Sequence, residues 1–151
     1  MKKALILSII IIGIFTLNAC EKEGGNATEV SAYGSSKSHN MGRNCMSCHT
    51  SGGEGKGWFN VAGTVYDSTI TVPLPNSTVY LYTAPNGGGT LKYTIQVDGR
   101  GNFYTTDAID FGTGLYPVVS GSTTSRNMSS SITTGQCNSC HGVSTDKIWT
   151  K

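Results

Sequence analysis

The side chains able to do chemistry are concentrated in two short segments, Cys45-Met46-Ser47-Cys48-His49 and Cys137-Asn138-Ser139-Cys140-His141. Each reads C-x-x-C-H. Two thiols at that spacing can add across the two vinyl groups of one haem, and a histidine that follows at once is placed under the iron as axial ligand. The residues therefore predict two haem c groups, with Cys45, Cys48, Cys137 and Cys140 as thioether donors and His49 and His141 as proximal iron ligands. The same cysteine spacing also suits a tetrahedral zinc site, a redox dithiol or a structural disulfide. None of those alternatives needs a histidine directly after each cysteine pair.

Two irons with both axial positions filled need four ligands, and the chain holds three histidines. The third, His39, stands six residues before Cys45 in Ser38-His39-Asn40-Met41, a polar context unsuited to a core histidine. It is the candidate distal ligand, with a plain surface histidine as the alternative. Met128, nine residues before Cys137 in a hydroxyl-rich run, is the internal candidate for the fourth position; packing against a porphyrin edge without ligation is the competing role. Met41 and Met46 are weaker candidates because both lie too near Cys45 to reach round the same ring. Trp58 and Trp149 are flanking aromatics whose blander role is packing.

The elements that must position these groups differ along the chain. Residues 58–119 are rich in β-formers and turn residues: Leu91, Tyr93, Ile95 and Val97 alternate with Lys92, Thr94 and Gln96, the period of a strand with one wet face. Trp58 to Tyr66, Thr78 to Thr83, Asn102 to Thr106 and Leu115 to Ser120 read similarly. Pro75-Asn76, Asn86-Gly87-Gly88-Gly89 and Asp98-Gly99-Arg100-Gly101 supply the turns between them. The expected fold is mainly β, an antiparallel sandwich flanked by two loop-rich haem arms, 20–57 and 120–151, with at most short helices. The Gly-, Ser- and Thr-rich arms hold too few apolar side chains to fold alone, so each is expected to collapse around its porphyrin.

The segment's Val61-Ala62-Gly63-Thr64-Val65, its Pro75-Asn76 ahead of Val79-Tyr80-Leu81, its Gly101-Asn102-Phe103 and its Gly114-Leu115-Tyr116 resemble the carboxypeptidase-regulatory-like and transthyretin-like β-sandwich modules. The resemblance covers about half of the chain after residue 19 and implies a rigid, non-catalytic scaffold. Asp107 and Asp110 are then solvated loop residues. As a whole the chain resembles a dihaem c-type cytochrome lipoprotein. In multihaem cytochromes an upstream histidine such as His39 often ligates a neighbouring haem, so the resemblance leans toward the second site.

The first nineteen residues read as an address. Lys2 and Lys3 precede the apolar run Ala4 to Phe15, too short to span a bilayer comfortably, and Leu17-Asn18-Ala19-Cys20 resembles a bacterial lipobox. The resemblance implies that 1–19 is removed and that Cys20 carries the lipid anchor, which would hold the protein at the outer membrane, facing the periplasm or the cell surface. Glu21-Lys22-Glu23 is similar to surface-export signals of some lipoproteins.

Without Lys2 and Lys3 the 11 basic residues become 9, against 9 acidic ones, so the mature chain is formally neutral. No basic cluster tracks a phosphate backbone, and nucleic acid is excluded as a partner. The expected function is electron transfer between redox protein partners or to an extracellular acceptor, more an electron carrier than a catalyst. The alternatives are a dihaem oxidoreductase or peroxidase with one open iron, and a self-associating subunit of a haem-linked conducting polymer.

Overall fold

The computed structural model describes residues 25–151; the leader and the lipid site expected at Cys20 lie outside the described residues. The chain is mainly β, as the alternation predicts. Its strands are β1 (Val61–Tyr66), β2 (Thr78–Ala84), β3 (Gly88–Gln96), β4 (Asn102–Thr105), β5 (Tyr116–Ser120), β6 (Ser125–Asn127), β7 (Gly135–Gln136) and β8 (Ile148–Trp149). Among the described residues the helical elements are two single 3₁₀ turns, Cys45–Ser47 and Cys137–Ser139.

One sheet is antiparallel throughout, in the order β3-β2-β5-β6. Its β2–β3 hairpin closes through Asn86 (φ 58°) and Gly87 (φ 71°), the pair of left-handed residues that a type I′ turn requires. The other sheet centres on β1, which pairs antiparallel with β4 and, in short parallel stretches, with β7 at Val61–Ala62 and β8 at Val65–Tyr66. The second C-x-x-C-H segment loops out between those two stretches.

The sandwich extends past residue 119, because β6, β7 and β8 all come from the second arm. The first arm is attached as well, through a bridge from Val30 to Thr105 and a bond from the Ser31 N–H to the Tyr104 carbonyl (2.9 Å). The arms are thus held by backbone pairing.

The core lies between the sheets. Val61, Val65 and Phe103 meet Val79, Leu81, Ile95 and Val119, all buried. Since side chains alternate across a strand, the register pairs Ala62 with Tyr104 and Thr64 with Asn102 on the opposite face of the first sheet. The first cysteine motif sits on that face, whereas the second lies at the edge of β1, with Asn138 reaching Thr64 and Cys137 packed against the core beside Gly63 and Phe103.

Candidate functional site

The two motifs fold alike. In each, the first cysteine opens a 3₁₀ turn: the Cys48 N–H donates to Cys45 O and the Cys140 N–H to Cys137 O, both 3.2 Å, and the His49 and His141 N–H groups donate to the same carbonyls at 3.0 Å. The serine before the second cysteine ties the turn to the residue before the first, Ser47 Oγ to Asn44 O (2.7 Å) and Ser139 Oγ to Gln136 O (2.6 Å). The two segments therefore share a longer signature, Asn/Gln-Cys-x-Ser-Cys-His, whose serine has a structural task.

Each histidine is oriented by a backbone carbonyl. His49 Nδ1 lies 3.0 Å from Lys56 O, and His141 Nδ1 lies 2.7 Å from Asp146 O. A carbonyl only accepts, so Nδ1 carries the proton and Nε2 keeps its lone pair for a metal. Around His49 the fit is close: its ring stacks on Phe59 (centroids 4.1 Å, planes 10° apart), which stacks on Tyr104 (4.8 Å). On another side is Gly55, where a Cβ would come within 2.6 Å of the ring. Lys56 is also ion-paired to Glu29 (2.6 Å) and its hydrogen bond holds that carboxyl below the usual carboxylate range. The pair is surface-exposed and worth at most about 1 kcal/mol.

His39 joins this first site. It lines a cavity of about 440 Å³ together with Cys45, Cys48 and His49. The His39 and His49 ring centroids are 6.0 Å apart. The structure thus brings His39 to its own motif, and not to His141 as the multihaem resemblance leans.

The second motif borders a smaller cavity of about 230 Å³, lined by His141, Tyr66, Lys147 and Met41. Met128 lines neither cavity; its N–H bonds the Pro117 carbonyl (2.9 Å) just beyond edge strand β6. Trp149 lies under the Arg126 guanidinium, 3.4 Å from the ring centroid, and the Trp58 backbone is clipped by Asn26 (2.8 Å); neither residue lines either of these two cavities.

A buried polar network joins the two motifs. Where the second motif leaves the edge of β1, the Thr64 N–H is met by Asn138 Oδ1 (3.2 Å), while Asn138 Nδ2 donates to Arg43 O (2.9 Å) and Thr64 Oγ1 (3.0 Å). The Thr64 hydroxyl also accepts the Gly42 N–H (2.8 Å) and donates to Asn102 Oδ1 (2.7 Å), which uses its full capacity. Asn102 Nδ2 in turn donates to Ser38 Oγ (3.0 Å) and His39 O (3.1 Å). Three side chains, Asn138, Thr64 and Asn102, therefore tie the second motif and the β1–β4 pair to the loop that carries His39 and leads into the first motif. The shared Asn/Gln and Ser positions carry a faint local signal, whereas Thr64 and Asn102 carry none.

Two of the thiols are perturbed by burial. Burial pushes the Cys137 thiol up to about 12, with smaller contributions from Cys45 and Cys140, and burial also raises Cys45. The four cysteines are free, and among the described residues no three His, Cys, Asp or Glu side chains converge as a metal-binding cluster. At the first site Cys45, Cys48, His49 and His39 line one cavity, the donor set that a haem c would use, whereas neither Cys137 nor Cys140 lines the cavity that His141 borders. Comparisons with protein families, with curated proteins and with solved structures found no match to this chain.

Proposed function

We propose that the protein is a dihaem c-type cytochrome that relays electrons at a bacterial envelope, between redox protein partners or to an extracellular acceptor. One observation carries this reading: two C-x-x-C-H segments fold into the same 3₁₀ turn, each with its histidine Nδ1 bonded to a carbonyl and Nε2 left free. Cys45 with Cys48 would hold one haem and Cys137 with Cys140 the other, under His49 and His141, with His39 distal at the first. When bound, the group supplies a one-electron change at iron. The chain's share of the work is to hold the two motifs in fixed relation through Asn138, Thr64 and Asn102. A rigid frame keeps the structural rearrangement on electron gain or loss small.

No helix among the described residues is long and apolar enough to cross a membrane. Membrane attachment is assigned to a lipid on Cys20, with the protein at the outer membrane. A dihaem oxidoreductase or peroxidase is the second reading, favoured by one observation: the second cavity has His141 but no second histidine, which would leave an iron there open. Protein matured with covalent haem is expected to show two reversible one-electron waves and no peroxide turnover. Rapid peroxide turnover with carbon monoxide binding by the untouched protein would replace the carrier by the enzyme.

A further inference from the structure

The first arm is fastened to the sandwich almost from its first described residue. Asn26 clips the Trp58 backbone with both ends of its amide: Nδ2 donates to Trp58 O and Oδ1 accepts the Trp58 N–H, each at 2.8 Å. The Glu29 N–H then donates to Thr106 Oγ1 (2.9 Å), the Thr106 N–H to Glu29 O (3.0 Å), and the Tyr33 N–H to Gln96 Oε1 (2.9 Å). From the lipid assigned to Cys20 to the clip at Asn26 is a span of six residues, which reaches at most about 21 Å however the chain runs. A domain of this size is roughly 35 Å across, so turning the face opposite Asn26 to the membrane would need a longer tether.

The first site lies beside that root. His49 Nδ1 is 3.3 Å from Gly57 O, and a Cβ on Gly57 would come within 2.9 Å of Ala27 O and 3.4 Å of Asn26 Oδ1. The imidazole is therefore within about 10 Å of Asn26. Strand β1 leads away from the root: Asn60, just before it, bonds the Thr106 carbonyl that Asn26 also approaches. Tyr66, at its other end and about 17 Å further on, accepts the Thr150 N–H and so holds Lys151 at the far side. Four charged side chains line the first cavity. Lys37, Arg43 and Lys56 are basic, and the one acid, Glu29, is already paired with Lys56. Lys37 and Arg43 are exposed and join no ion pair among the described residues.

We infer that the mouth of the first cavity rests on the anionic headgroups of the membrane that holds the Cys20 lipid, with Lys37, Arg43 and Lys56 as its contacts. This rests on the lipid reading above and adds an orientation to it. The short tether keeps the face at high local concentration beside the bilayer, so a few cations suffice to hold it there. In the dihaem reading, the haem at Cys45 and Cys48 is then the one that meets redox partners in the plane of that membrane.

The test uses full-length, lipidated, haem-loaded protein on vesicles of phosphatidylcholine with phosphatidylglycerol, with the Cys20→Ala protein in solution as reference. Acylation of individual lysines, read by peptide mass, should be several-fold slower on the vesicles at Lys37 and Lys56 and unchanged at Lys151. Lys37→Glu/Arg43→Glu should stay vesicle-bound and restore fast acylation of Lys56, and so should vesicles of phosphatidylcholine alone. Lys56 acylated equally fast on vesicles and in solution, Lys151 protected to the same degree, or Lys56 still protected in the charge-reversed variant or on phosphatidylcholine alone overturns the inference alone. A Cys20→Ala protein that partitions onto the vesicles like the parent overturns the lipid reading and the inference with it.

Discussion

Replacing Asn138 by alanine removes three hydrogen bonds at once from a side chain that is only 4% exposed. The Thr64 N–H is the expensive loss: Thr64 is 1% exposed, so its amide stays buried without a partner, at a cost of about 1–3 kcal/mol. Arg43 is exposed and water can take over its carbonyl, so that bond is worth about 1 kcal/mol. Asn138→Ala should therefore destabilise the haem-loaded protein by about 2–4 kcal/mol, a fall of roughly 10 °C in Tm for a domain of this size. Thermal melts followed both by the β-sheet dichroism and by haem absorbance should move together, because the residue ties the second motif to the first. A Thr64→Val partner completes a double-mutant cycle, and groups sharing a network should couple by more than about 0.5 kcal/mol. An Asn138→Ala protein within about 0.5 kcal/mol of the parent, or a cycle with no coupling, would falsify the claim that this network joins the sites.

Gly55→Ala should push a methyl group into the His49 ring, 2.6 Å from Nδ1, and disturb the low-spin signal of one haem while sparing the other; an unchanged spectrum would show that the glycine does not cradle the ligand. His39→Ala should turn one haem high-spin, and the change should fall on the haem attached at Cys45 and Cys48 when the attachment peptides are compared by resonance Raman or NMR. In chain produced without haem, alkylation near pH 8 should reach the exposed Cys48 and Cys140 first and Cys137 last, because a thiol at about 12 is thiolate in roughly one molecule in ten thousand at that pH. Burial raises this thiol above its ordinary 9.0, so the stability held by neutral Cys137 is complete below about pH 9 and lost as pH climbs toward 12. Thioether formation should abolish that dependence, and equal labelling of all four cysteines would refute the buried placement. Cys20→Ala should release soluble, haem-loaded protein from membranes, and a variant that partitions like the parent would place the anchor elsewhere.

The five strands within 58–119 were legible because their side chains report burial. Ile95 and Val97 are buried while Lys92, Thr94 and Gln96 are exposed, and Asn86-Gly87 marks the hairpin without ambiguity. The three strands of the second arm were not legible. Ser125–Asn127 is exposed at every position, and β7 and β8 are two residues each, so their pairing is written in backbone bonds and leaves no hydrophobic period. The motif cysteines and histidines stand out by spacing alone. What assembles them does not: Thr64 and Asn138 are 74 positions apart, and Asn138 occupies a position that C-x-x-C-H leaves unspecified. Met128 drew attention as an apolar residue in a hydroxyl-rich run, but that run is the continuation of an edge strand.

The central claim is that each C-x-x-C-H segment carries a covalent haem under its own histidine. Intact mass under denaturing conditions tests it most directly, on protein made in a host with cytochrome c maturation machinery and compared with Cys45→Ala/Cys48→Ala and Cys137→Ala/Cys140→Ala variants. The account predicts the mature chain plus two haem masses for the parent and plus one for each variant. A parent carrying one haem or none, or carrying zinc on intact thiols, would contradict it.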